Sequence, residues 1–196
     1  MLKSHHVIGF VALAISSILI LNFALLSKAS AGFWTEITSA PASQEWTAFA
    51  ASADGTKLIA GASGNVFTSS NSGETWIEQT ESGARLWKQI VSSADGNTLF
   101  ALQGSGSAYM LKSVDGGATW TEIIDGGLTN DGLTEWAQIT VTADGTKVAA
   151  RRFSNPAVVF TSADGGTTWN ERNIVSFGNA LGKIAYSPDG SKLVFT

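Results

Sequence analysis

The 196-residue sequence predicts an all-β fold, a β-propeller of four-stranded antiparallel blades. Three observations predict it. A box of the form Ser-x-Asp-x-Gly-x-Thr-Trp is written three times, ending at Trp76, Trp120 and Trp169, at intervals of 44 and then 49 residues. An Asp-Gly turn recurs in step with it at Asp54, Asp95, Asp144 and Asp189, with Trp46, Trp87, Trp136 and Leu181 eight residues before and Phe49, Ile90, Ile139 and Ile184 five before. Between these landmarks the unit is 41 to 49 residues long and divides into four short segments rich in β-branched and aromatic residues. Regular spacing in this range marks a repeat architecture. A single four-stranded sheet of this size cannot bury both faces, and radial stacking of such sheets solves that problem.

In chain order, residues 1–31 read as a targeting segment. A short polar start with Lys3 precedes an apolar run from Val7 to Leu26, interrupted at Ser16, Ser17 and Asn22. Ala29-Ser30-Ala31 then fits the small-x-small pattern of a signal-peptidase site, with the cut before Gly32. The alternative is an uncleaved anchor, because the run is long enough to span a bilayer. Either way the remainder is expected outside the membrane, extracellular or periplasmic, or anchored and facing outward. A cysteine-free exported chain fits a bacterial-type setting better than a disulfide-forming pathway.

Cleavage would remove His5 and His6, the only histidines, from a chain that has no cysteine. Ser-His-Asp and Cys-His catalysis and the usual zinc sites are then excluded, and neither metal nor cofactor is expected. Loss of Lys3 and Lys28 leaves ten basic against sixteen acidic residues, a balance that disfavours nucleic acid as a partner. Membrane contact is expected only through the N-terminal segment, if it stays uncleaved.

Residues 32–196 are expected to form the propeller. The stretch Gly32-Phe33-Trp34-Thr35-Glu36-Ile37-Thr38 matches the strand after the second box, so 33–38 reads as an outer strand that completes a last blade and ties the ring shut. Blades follow at about 45–80, 86–125 and 135–174, and a fourth at 180–196 stops inside its second strand. The sequence therefore reads as an incomplete piece, three blades and part of a fourth. The alternative is a short chain that closes by self-association.

Within a blade, the third copy shows the four strands A to D as WAQITV, KVAARR, AVVFTS and WNERNI, with Asp-Gly or Asp-x-Gly turns joining A to B and C to D. Asp suits these turns because its carboxylate accepts backbone N–H groups two or more residues on. The box glycines are Gly73, Gly117 and Gly166, and the box carboxylates are Asp115 and Asp164, with Asn71 as an equivalent cap in the first copy. Trp76, Trp120 and Trp169 open strand D as plugs for the gap between neighbouring sheets. Calcium is a poor fit to these turns, since the Asp spacing does not match an EF-hand loop.

The three boxes resemble the Asp-box, or BNR, repeats of sialidases, sortilin-type receptors and the photosystem II assembly factor family. They match at every defining position except Asn71, and the resemblance spans residues 34–196. It implies a propeller but no single activity, since such propellers do many jobs. A sialidase-like glycoside hydrolase would need an arginine triad, a nucleophilic tyrosine with a glutamate partner and a further acid. Here Arg85, Arg151, Arg152 and Arg172 are the arginines, Tyr109 and Tyr186 the tyrosines, and no Arg-Ile-Pro start is present. An enzyme of that kind stays open only as one completed by further blades, and an assembly chaperone of the photosystem II factor type is a further alternative.

Antiparallel parity places the A–B and C–D turns on one end of the propeller and the B–C and D–A loops on the other. The repetitive turns are all of the first kind and the variable segments all of the second. The variable face is thus the expected contact surface for a protein or glycan partner, in an exported module that binds without catalysis. Its candidates are Arg85, Gln103, Asp125, Asn130, Asp131, Glu135, Arg151, Arg152 and Asn155. The pair Arg151-Arg152 suits an anionic group, with an internal ion pair to Asp131 or Glu135 as the alternative.

Overall fold

The computed structural model describes residues 21–22, 35–41, 44–104, 109–124, 136–152, 157–174, 182–187 and 189–195. The expected leader lies outside them apart from Leu21 and Asn22. Strand β1 (Leu21–Asn22) pairs antiparallel with β2 (Thr35–Glu36). Among the described residues no helix is long and apolar enough to cross a membrane.

The rest is part of a β-propeller. The first blade is β3 (Trp46–Ala51), β4 (Leu58–Gly64), β5 (Val66–Ser69) and β6 (Ile77–Gln79). The second is β7 (Arg85–Ser92), β8 (Leu99–Gln103), β9 (Met110–Ser113) and β10 (Thr121–Ile123). The third is β11 (Trp136–Val141), β12 (Val148–Arg152), β13 (Ala157–Ser162) and β14 (Asn170–Ile174), and β15 (Ile184–Tyr186) with β16 (Leu193–Phe195) begins a fourth. Each blade is an antiparallel meander. Ser63 and Gly64 at the end of β4 also pair with Leu86 and Arg85 of β7, which joins the first two blades into one hydrogen-bonded sheet.

The A–B turn repeats one local circuit. In the second blade Asp95 accepts from the Ser93 hydroxyl at 2.5 Å and from the Asn97 N–H at 3.0 Å, while Ser93 Oγ accepts from the Thr98 N–H at 3.1 Å. Gly96 takes φ 72°, a conformation that glycine adopts without a Cβ penalty. In the box, the serine oxygens of Ser69, Ser113 and Ser162 accept the N–H of Gly73, Gly117 and Gly166 at 2.8–2.9 Å. The side chain of Asn71, Asp115 or Asp164 accepts the N–H of the following box threonine. Each box tryptophan stands just before the fourth strand rather than inside it.

These circuits lower the pKa of the turn carboxyls. Hydrogen bonds from Ser93, Thr142 and Ser187, followed by those from the downstream N–H groups, hold Asp95, Asp144 and Asp189 at about 2. Because the folded values lie below the ordinary 3.8, the associated stability is complete above 3.8 and is lost as pH falls towards 2. The melting temperature is therefore expected to be flat between neutrality and about pH 5, and to drop between about pH 4 and 2. Asp95→Asn should flatten that acid limb, and a limb of unchanged slope would remove Asp95 from the effect.

Cores form between blades, not within them. Ala48, Ile59, Trp87, Ile90, Leu99 and Leu111 pack between the first and second blades. Phe100, Met110, Trp136, Ile139, Phe160 and Trp169 pack between the second and third. Ala149, Val159 and Ile184 begin the next interface. Polar ties cross the same gaps. The Ala53 N–H donates to Ala94 C=O at 2.8 Å and the Ala94 N–H to Ala143 C=O at 2.7 Å.

Gln89 brackets the next inner strand, donating to Ile139 C=O and accepting from its N–H, both at 3.0 Å. Gln138 does the same to Ile184. A register shift near the start of β7 and of β11 precedes each glutamine. The first blade has Ala48 at this position, and Thr47 Oγ1 donates to Trp87 C=O at 2.6 Å instead. Lysines also cross the interfaces: Lys57 to Asn97 Oδ1, Lys112 to Gly165 C=O and Lys147 to Gly190 C=O at 2.6–2.7 Å, and Lys88 to Trp136 C=O at 2.8 Å.

The segment after β2 packs on the first blade. Ile37 is buried, and Ser39 Oγ donates to Gly73 C=O at 2.5 Å. In the other two boxes the equivalent carbonyl, Gly117 or Gly166, accepts the indole N–H of the box tryptophan at 3.0 Å.

Candidate binding face

Beta strands of alternating direction carry Ser63, Gly64, Arg85, Leu86, Gln103 and Gly104 to the end of the propeller opposite the Asp-Gly turns. There they line an open hollow of about 400 Å³ between the first and second blades. Small residues make it. A Cβ on Gly64 would meet nothing within 4 Å, and Gly104 is drawn in by its N–H bond to Leu86 C=O at 2.7 Å. Leu86 remains 45% exposed on the rim.

Arg85 is the charged centre of this hollow. Its Nη1 donates to Gln103 Oε1 and to Glu122 Oε1, each at 3.1 Å, and its Nε donates to Ser82 C=O at 3.3 Å. The guanidinium is thereby fixed in orientation. The ion pair with Glu122 is partly solvated, with side-chain exposures of 24% and 37%, and such pairs contribute about 0–1 kcal/mol to stability. Its effect is to present a planar donor group flanked by an amide and a carboxylate beside an apolar rim. Of the residues the sequence nominates, Arg85 and Gln103 are brought together here. Glu122 and Ser82 were not nominated, since Glu122 lies on β10, 37 residues from Arg85.

Arg151 and Arg152 do not form a paired cationic site. As neighbours on β12 their side chains leave opposite faces of the sheet. Arg152 is 5% exposed, with its guanidinium carbon 4.7 Å from the Trp136 ring and 5.1 Å from that of Phe160. It is withdrawn from the surface by cation–π packing against the core between the second and third blades. Arg151 turns towards the fourth blade and donates from Nη2 to Gly182 C=O at 3.1 Å, and burial pulls its pKa below the usual arginine value. Asp125, Asn130, Asp131, Glu135 and Asn155 lie outside the described residues. Among the described residues, no three His, Cys, Asp or Glu side chains group as metal ligands would.

A family model described as the DUF6242 beta propeller domain matches residues 22–133, starting upstream of Gly32. No curated protein matches the chain in sequence. Among solved structures, YCF48 from Cyanidioschyzon merolae is similar at 16% identity and a TM-score of 0.53, over 74% of this chain and 49% of that one. The GH74 xyloglucanase from Xanthomonas campestris is similar at 16% identity and a TM-score of 0.62, over 83% of this chain and 30% of that one. A putative TolB from Agrobacterium tumefaciens gives 15% identity and 0.57, over 83% and 57%. The chain thus spans about half the length of the first of these structures. At such identities the likeness is one of fold, shared by proteins of unlike activity.

Proposed function

Since the chain belongs to the DUF6242 β-propeller domain family, we propose that it is an exported binding or scaffolding module that engages a protein or glycan partner without catalysis, through the B–C and D–A face. One observation carries this reading. The hollow between the first two blades combines an oriented guanidinium, an amide, a carboxylate and an exposed leucine on the end where the repeats differ. An amphipathic patch of convergent polar groups beside apolar surface is the kind that fixes a ligand's orientation. On this reading the opposite end, occupied by turns of Asp-box type, serves the fold. Arg85 and Gln103 replace the Arg151-Arg152 pair as the leading contacts, because the latter guanidiniums are engaged between blades.

The test is partner capture from extracellular or periplasmic extract, and binding to a glycan array, with the full chain and its Arg85→Ala and Leu86→Ala variants. Arg85→Ala is expected to abolish retention while lowering the unfolding free energy in urea melts by no more than an exposed ion pair contributes, about 1 kcal/mol. Retention that survives both changes would take the hollow out of the reading.

A further inference from the structure

At the turn-bearing end, the interface between the first and second blades holds a cavity of about 220 Å³ lined by Thr68, Ile77, Gly96, Asn97, Asp115 and Gly116, among others. The next interface shows what this place accommodates. There the residue before the box serine is Lys112, whose Nζ donates to Gly165 C=O at 2.7 Å and lies 5.8 Å from the Phe100 ring centroid. Gly145 C=O stands beside the same spot, 3.6 Å from where a Cβ on Gly165 would be. In the first interface the carbonyl partners recur as Gly116 and Gly96, with Gly96 C=O 3.5 Å from the equivalent point on Gly116. The lysine does not recur, because Thr68 stands before Ser69 where Lys112 stands before Ser113. Among the described residues no donor reaches Gly116 C=O. Lys57, the lysine that does cross here, is held by Asn97 Oδ1 at 2.6 Å.

We propose that this cavity is a binding site for a primary alkylammonium group, which takes the place at Gly116 C=O that Lys112 takes at Gly165 C=O. Asp115 supplies the counter-charge, and Ile59, Leu99 and Ile77 supply an apolar wall for the alkyl stem. The ammonium needs acceptors and no donors, which is what a carbonyl and a carboxylate offer. A guest enters beside the resident charge of Lys57, so Asp115 and the carbonyl set its affinity. The site lies at the end opposite the Arg85 hollow and does not depend on it.

The test is a titration of the full chain with n-butylammonium chloride against sodium chloride at constant ionic strength, read on the amide shifts of Gly116 and Asn97. Saturable shifts are expected with butylammonium alone. Shifts that track sodium equally would overturn the proposal. Thr68→Lys should abolish saturation and raise the melting temperature by reproducing the Lys112 contact. Thr68→Met, which fills the space without a charge, should abolish saturation without that rise. Saturable butylammonium shifts in a folded form of either variant would also overturn it. The peptide acetyl-Gly-Lys-Gly-amide separates the sources. Binding as tight as that of butylammonium assigns the site to a protein lysine, and binding of butylammonium alone assigns it to a free amine.

Discussion

Trp87→Ala is expected to lower the unfolding free energy by about 3–5 kcal/mol, the range for truncating a fully buried large aromatic. Trp87 is 1% exposed and sits in the core between the first and second blades. Its ring lies 5.0 Å from that of Trp120, and its indole N–H donates to Gly64 C=O in the preceding blade at 2.8 Å. Truncation therefore opens a cavity, removes a ring contact and leaves a carbonyl without its donor. Leu86, one residue earlier and 45% exposed, supplies the control, since Leu86→Ala removes little buried surface. Urea melts of the two variants should differ by several kcal/mol, and near-equal melts would mean that the blade interface does not hold the fold together.

Gly117→Ala is the second large effect. Its φ of 96° lies in the left-handed region, where an alanine costs about 1–2 kcal/mol. An added Cβ would also stand 2.6 Å from Ile59 Cδ1 and 3.2 Å from Leu99 Cδ1, and overpacking of this kind costs about 1–3 kcal/mol. Gly116→Ala isolates the first part, because Gly116 has φ 72° with nothing nearer than Gly96 C=O at 3.5 Å. Gly117→Ala is expected to melt well below Gly116→Ala by chemical denaturation. Equal losses would assign the whole effect to backbone strain and none to the press of the box against the neighbouring blade.

The elements legible in the sequence are those whose partners are near in the chain. The circuit of Ser93, Asp95, Gly96 and Thr98 closes within five residues, so the turn chemistry can be read from residue types alone. The repeat interval then supplies the blade. The candidate face was legible as an end of the propeller but not as a constellation. Arg85 meets Glu122 only in the folded blade, where the first and fourth strands, 37 positions apart at this contact, belong to one sheet. Arg151 and Arg152 read as a pair because they are adjacent, yet strand alternation sends one to each neighbouring interface. Period two was visible, but the aromatic partners of Arg152, Trp136 and Phe160, lie 16 and 8 positions away on the flanking strands. The glutamine brackets were hidden for another reason. Gln89 and Gln138 share a position in the repeat, but Ala48 and Lys183 interrupt the pattern in the other copies.

The ties between blades also carry a consequence for how the chain is made. Thr47 reaches Trp87 across 40 positions, Lys147 reaches Gly190 across 43, Gln138 reaches Ile184 across 46, Gln89 reaches Ile139 across 50 and Lys112 reaches Gly165 across 53. At a synthesis rate of roughly 5–20 residues per second, each new blade meets its predecessor within about 2–11 s of it. Accretion on the ribosome can therefore run in the order of translation, one sheet laid on the last. A nascent chain that stalls midway keeps the sheets already stacked, because none of these ties waits for residues still to be translated beyond the adjoining blade.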